Sequence, residues 1–250
     1  MKREAFFAEI TKNILLPYEA RQAYEEERVG EFANRFEAGY FDCFLALLGG
    51  GGDVLDLACG DGRHTLRLSE RVNHVVALDL SPNNLKMAQR KCQSRENISF
   101  LEGSMFEIDR FFQESAFDGI WFSQAFEYVP PDRRKELLAS LKRILKPNGI
   151  LYMSVETWMH PNLWASLKEL VNDLQAFCYW KFLKRKPLLW GEFFYYLRVE
   201  DVCASFSGWH YHVHTDKWTL LKLLKRLKFE VLRLDVYDGY IYVLCRKVSL

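Results

Sequence analysis

The feature of this 250-residue chain that most narrows what it can fold into is the run Val54-Leu55-Asp56-Leu57-Ala58-Cys59-Gly60-Asp61-Gly62. A short apolar strand passes directly into a loop of small residues, and helical spacing resumes after it. Glycine at 60 and 62 removes the Cβ atoms that would hold a ligand off the backbone, and the helix that follows presents free N–H groups. Seventeen positions beyond Gly62, Asp79 ends the next apolar run. That interval is roughly the one found in nucleotide-binding βαβ units, and a carboxylate there can accept from both hydroxyls of a ribose.

The alternation continues, which signals parallel strands joined by crossover helices. Strands two to five are predicted at 75–78, 98–101, 119–122 and 150–155. Ser81-Pro82 supplies an N-cap and a residue already fixed at helical φ, opening a helix over 82–92. Another helix is predicted over 131–145, where Lys146-Pro147-Asn148-Gly149 stops it. Thr215 or Asp216 is placed to cap a last helix with Leu220, Leu224 and Leu227 on one side and Lys222, Lys225 and Arg226 largely on another. Asp238-Gly239 then separates two strands, 231–236 and 240–245, a strong hairpin signal, so the sheet should close with an antiparallel strand. Before the core, Phe6, Phe7, Ile10 and Ile14, then Phe32, Phe36, Tyr40 and Phe44, recur at helical spacing. Two or three helices are expected there, ended by the four glycines at 49–52.

Hydrophobic residues make up 49% and charged residues 27%, ordinary for one globular catalytic domain, and a net charge of +1 gives no bulk field to gather a polyanion. Six cysteines without paired spacing, in apolar surroundings, suit buried reduced thiols and a cytosolic, cytoplasmic protein. Met1-Lys2-Arg3 leads to no cleavage site, and no run reaches a membrane span of roughly 18 apolar residues, so a soluble chain with no membrane partner is expected.

With these residues in order, the chain resembles the class I S-adenosylmethionine-dependent methyltransferases, whose first motif is an acidic residue followed by a GxGxG loop; Ala58 stands in place of the first glycine. The resemblance runs from about Arg35 to Glu156 and includes Phe117-Asp118-Gly119-Ile120 and Leu145-Lys146-Pro147-Asn148-Gly149-Ile150. It implies an α/β, Rossmann-like doubly wound seven-stranded sheet with a reversed last strand. To this belong N-terminal helices and a cap inserted after the fifth strand. The expected units are an N-terminal helical lid (1–48), the cofactor-binding core (49–156), an aromatic-rich substrate cap (157–214), and a last helix and hairpin completing the core (215–250). The implied cofactor is S-adenosyl-L-methionine, leaving as S-adenosyl-L-homocysteine. By the same resemblance Asp56 and the backbone of Ala58 and Gly60 hold its methionine end, Asp79 binds ribose and Leu80 lies on adenine. Ser104 and Met105 edge the base, Ser104 standing where the family commonly has an acid. Ser123, Gln124 and Ala125 pass beneath the sulfonium. Tyr18, Tyr24 and Arg28 resemble in placement the lid residues of small-molecule methyltransferases. A nicotinamide dehydrogenase would need glycine or alanine at Thr65.

The acceptor belongs beside the loops after strands four and five. The second, 157–214, is far longer than a connection needs and is crowded with aromatic residues, which pack a cap or line a pocket. Methyl transfer is a displacement on an activated carbon, so a base is needed only for a protonated nucleophile. Candidates are His160, first by position, with Glu127, Tyr128, Glu156, His210 and His212. His210, His212 and His214 would share a face if extended and could bind zinc, but no fourth ligand is indicated and no metal is expected. The neutral charge and aromatic cap favour a small organic acceptor, methylated at oxygen, nitrogen or carbon. Behind it stands an RNA (tRNA) methyltransferase using the basic run 181–186; Trp209-His210-Tyr211-His212-Val213 looks like a segment of tRNA wobble-uridine methyltransferases. A non-catalytic cofactor-binding protein on the same fold is the third reading. Oligomeric state is not legible.

Overall fold

A computed structural model describes residues 2–19, 35–201 and 204–248. In chain order its elements are α1 (Lys2–Glu19), α2 (Arg35–Leu47), β1 (Asp53–Leu57), α3 (Arg63–Ser69), β2 (His74–Asp79), α4 (Pro82–Lys91), β3 (Ile98–Glu102), α5 (Ile108–Phe111) and β4 (Phe117–Phe122). Then follow α6 (Arg134–Ile144), β5 (Leu145–Glu156), α7 (Leu163–Cys178), β6 (Glu192–Asp201), β7 (Ala204–Val213), α8 (Lys217–Arg226), β8 (Phe229–Tyr237) and β9 (Tyr240–Lys247).

Seven strands form one sheet in the order β3-β2-β1-β4-β5-β9-β8. β1 to β5 are parallel, and β9 runs antiparallel between β5 and β8. The strand pleat sorts the core onto two faces. Leu55, Leu57, Ile120, Phe122, Leu151, Met153 and Val155 meet Leu137, Leu141 and Ile144 of α6 and Leu220 and Leu224 of α8. Val54, Trp121, Ile150, Tyr152 and Tyr242 meet Tyr40, Phe41 and Phe44 of α2. Trp121 stacks on Tyr152 with centroids 3.7 Å apart.

Caps fall where residue chemistry places them: Ser81 accepts from the Asn84 amide to open α4, and Asp216, rather than Thr215, accepts from Trp218 and Thr219 to open α8. The stop signal at 146–149 acts differently from expectation. α6 ends at Ile144, and Leu145 already pairs with Phe117, so Pro147, Asn148 and Gly149 form an irregularity inside a longer β5, Asn148 taking φ +63°. The thiols also differ in part: Cys59, Cys92 and Cys245 are buried, but Cys43 is half-buried and Cys178 is exposed, while Cys203 lies outside the described residues.

The long segment after β5 has architecture of its own. It comprises α7, a π-helical turn at Tyr179–Leu183 and the two-stranded β6–β7 ribbon. Its core joins Trp180, Leu188, Phe194, Tyr211 and Val213 to Phe6 and Ile10 of α1. Arg3 reinforces that contact, donating to Glu192 at 2.9 Å from both of its terminal nitrogens and to Asp132. α1 therefore packs against the turn after α7 and the β6–β7 ribbon, and its other residues Phe7, Thr11, Ile14 and Leu15 line the cavity at the carboxyl ends of the central strands.

Candidate functional site

A cavity of about 290 Å³ opens at the carboxyl ends of β1, β2 and β4. Asp56, Ala58, Gly60, Asp79, Leu80, Ser104, Met105, Ser123 and Gln124 line it, as does Tyr128, and Phe7, Thr11, Ile14 and Leu15 of α1 close its outer side. The loop after β1 is held in left-handed backbone, with φ +57° at Ala58, +56° at Gly60 and +81° at Gly62. The two glycines serve different ends. A Cβ on Gly60 would meet nothing within 4 Å, whereas one on Gly62 would fall 2.8 Å from the Ala88 Cβ. Gly60 thus leaves room beside the cavity, and Gly62, expected to admit a ligand, instead lets the start of α3 pack on α4.

Two carboxylates face the loop. Asp79 accepts from the Gly60 amide at 2.8 Å and the Ser81 amide at 2.9 Å, so the same side chain that ends β2 also fixes the loop after β1. Burial still raises its pKa. Asp56 is held by the Thr65 hydroxyl at 2.6 Å. Burial, with the nearby Asp79 charge, pushes its carboxyl up to about 7 although the Thr65 hydrogen bond works the other way.

The sequence reading passed over Arg63, His64 and Asp61, which also line the cavity, and over Glu37 behind them. Glu37, on α2, is fully buried and takes a hydrogen bond from the Ser123 hydroxyl, with His64 Nε2 3.4 Å and Arg63 3.8 Å away. Burial would raise its carboxyl, but His64, Ser123 and Arg63 prevail and hold it down at about 2. The available signal was an acid set on the same helical face as Phe41 and Phe44.

Of the base candidates only Tyr128 lines the cavity. His160 does not: its backbone is tied to Ser166 at the start of α7, and its ring lies beside Gly239. Glu127 is buried, with Oε2 unpartnered among the described residues, and burial with the Glu156 charge raises its pKa well above the ordinary carboxyl value. His210 stands behind Tyr128, its Nε2 3.5 Å from the phenol oxygen, and burial lowers its pKa to about 4. His210 and His212 do share a face, their rings 5.2 Å apart. His212 is bonded to Glu156, and His214 Nδ1 to Asp173 at 2.7 Å. Tyr18 lies in the last turn of α1, while Tyr24 and Arg28 lie outside the described residues.

The methyltransferase-domain family matches residues 54–149. The Bacillus subtilis (strain 168) protein YqeM is 37% identical over 108 residues, covering 42% of this chain and 43% of that protein. Demethylmenaquinone methyltransferase of Lactococcus lactis subsp. lactis (strain IL1403) is 34% identical over 115 residues, covering 44% and 43%. The matched segment thus spans less than half the length of these relatives. Among solved structures, 1,6-didemethyltoxoflavin-N1-methyltransferase of Burkholderia thailandensis, bound to 1,6-didemethyltoxoflavin and S-adenosylhomocysteine, superposes with a TM-score of 0.62 at 18% identity. That match covers 100% of this chain and 91% of the other, a likeness of fold. The methyltransferase-domain match runs from β1 to the start of β5 and the reversed β9 completes the same sheet, so residues 54–149 are similar to a methyltransferase domain and the chain as a whole shares the Rossmann-like fold of the solved methyltransferases.

Proposed function

We propose that the chain transfers a methyl group from S-adenosylmethionine to a small, largely apolar organic acceptor. The observation that carries this reading is the cavity itself, in which buried Asp56 and Asp79 flank open space beside Gly60. The donor set fits the cofactor. Asp79 retains acceptor capacity for ribose hydroxyls, Leu80 and Met105 offer apolar walls to a base, and Asp56 supplies negative charge for a cationic methionine end. Ser104 spends its oxygen capping the turn at Met105–Glu107, accepting from the Phe106 amide. When bound, the cofactor supplies an activated methyl carbon.

The chain's own residues then align, exclude water and place the acceptor. Phe7, Ile14 and Leu15 of α1, with Phe106, Ala125 and Tyr128, make the walls beyond the cofactor residues apolar, which suits an uncharged or aromatic acceptor. None of the carboxylate or imidazole candidates named above lines that space, so this reading rests catalysis on alignment and desolvation, with the Tyr128 phenol orienting the acceptor. It agrees in class with the quinone and heterocycle substrates named for the relatives above. The segment 157–214 with α1 serves as cap and lid. In the basic run, Lys181 donates to the Leu188 carbonyl and Lys186 to Glu9, leaving Lys184 and Arg185 as a sparse footing for RNA.

Calorimetric titration of S-adenosylmethionine and S-adenosylhomocysteine tests the reading. Asp79→Ala should weaken both by about 100-fold, the loss of two hydrogen bonds to a charged acceptor. Folded wild-type protein that binds neither would overturn it.

A further inference from the structure

α7 sets Leu170 and Phe177, both half-buried, toward the rest of the molecule but leaves a larger set of apolar side chains outward. Its buried side chains are Ser166 and Asp173, while Leu163, Trp164, Leu167, Val171 and Leu174 are exposed, Trp164 by 79%. Asp173 is turned inward because it holds His214, and Ser166 because it bonds the backbone at His160 and Asn162. The outward residues Trp164, Leu167, Val171, Leu174 and Cys178 recur at alternating steps of three and four, one continuous stripe. The helical turn after α7 extends it with Phe182 and Leu183, 68% and 70% exposed, and Trp190 stands nearby in sequence, 54% exposed. From Trp164 to Phe182 such a stripe is about 27 Å long, more than scattered surface hydrophobes would make.

The charges say what covers it. Between residues 163 and 190 the exposed charged side chains are Lys168, Lys184 and Arg185, all basic. Glu169 is half-buried at the rim of the cavity lined by Asp173 and His214. No exposed acid stands between residues 163 and 190 to answer these cations, so the sign of charge the stripe lacks must come from what covers it. Anionic headgroups supply the missing sign, and tryptophan and tyrosine beside lysine and arginine suit the boundary between headgroups and acyl chains. No described helix is long and apolar enough to cross a membrane. We infer that the outward face of α7 and its following turn is a docking surface for an anionic lipid bilayer, on which the protein lies peripherally. The inference does not depend on methyl transfer.

Co-sedimentation of the full chain with vesicles of phosphatidylcholine alone, and of phosphatidylcholine mixed with phosphatidylglycerol, tests it, with light scattering of the free protein alongside. The expected result is binding to the mixed vesicles only, weakened by salt. Leu167→Glu with Val171→Glu should abolish it, and Lys184→Glu with Arg185→Glu should weaken it at least about tenfold. Both positions pairs are exposed, and unchanged thermal unfolding and cofactor affinity in the variants would show that the fold is intact. Three results would overturn the proposal: no binding to either vesicle, equal binding to both, or a wild-type dimer that Leu167→Glu with Val171→Glu turns into a monomer without any vesicle binding.

Discussion

At the scale of single residues, the two loop glycines make a paired prediction. Gly62→Ala places a methyl group 2.8 Å from Ala88 in left-handed backbone and should cost about 2–4 kcal/mol of stability, read by denaturant unfolding. Gly60→Ala meets no neighbour and should cost only about 1 kcal/mol, yet weaken cofactor binding in calorimetry because the methyl group enters the cavity side. Asp56 makes a pH prediction. Its folded pKa, about 7, lies above its ordinary 3.8, so the folded apoprotein holds the proton more tightly and loses stability as pH rises between those values. A cationic ligand favours the ionised form, so affinity for S-adenosylmethionine should be about tenfold weaker at pH 6 than at pH 8, with proton release on binding below pH 7. An affinity flat over this range would remove Asp56 from the binding of positive charge. Asp56, Gly60 and Asp79 were legible in advance because motif spacing reports backbone constraints. Glu37 was not, because a lone acid on a helix acquires meaning only from the His64, Arg63 and Ser123 that two other segments bring to it.

At the scale of elements, Glu37 ties α2 to the end of β4 and the start of α3. Its folded pKa of about 2 lies below the ordinary 4.5, so the stability it contributes is present above pH 4.5 and is lost as pH falls through 2. Glu37→Gln should therefore destabilise the protein by up to about 3 kcal/mol at neutral pH, with the gap to wild type closing toward pH 2 in unfolding curves taken across that range. An equal gap at every pH would mean that the side chain contributes by packing alone. The strands and the longer crossover helices could be read from their two periodicities, and the starts of α4 and α8 from their capping residues, but not the end of α6, because residues 146–149 lie inside β5. The inserted segment could not, because its aromatic residues suit core and pocket equally. Trp180, Phe194 and Tyr211 are buried while Trp164, Trp190 and Trp209 are exposed. Similarly, His160 was placed by chain position near the acceptor, but the loop it begins turns away to cap α7.

At the scale of the whole molecule, the described residues include two large sheet-face cores and, apart from them, a small core in which α1 packs with Trp180, Leu188, Phe194, Tyr211 and Val213. Phe6 belongs to the small core alone. Phe6→Ala should loosen that unit by about 3–5 kcal/mol while the sheet stays folded. Limited proteolysis should then cut within 157–214 first, with the thermal transition of the remainder little moved and cofactor affinity reduced. A single cooperative loss of both parts would show instead that lid, cap and sheet are one folding unit.

What the sequence by itself determined is local and periodic: the order of strands and helices in the sheet core, the loop after β1, the N-caps of α4 and α8, and the Asp238-Gly239 hairpin. These follow from backbone preferences and hydrophobic spacing, which act between near neighbours. Only the tertiary structure decided that β9 enters between β5 and β8, that Gly62 serves helix packing, that Tyr128 rather than His160 reaches the cavity, and that α7 leaves Trp164, Leu167, Val171 and Leu174 outward. Each of these depends on which surface another segment offers, and burial, pairing and pKa are properties of that meeting rather than of either segment alone.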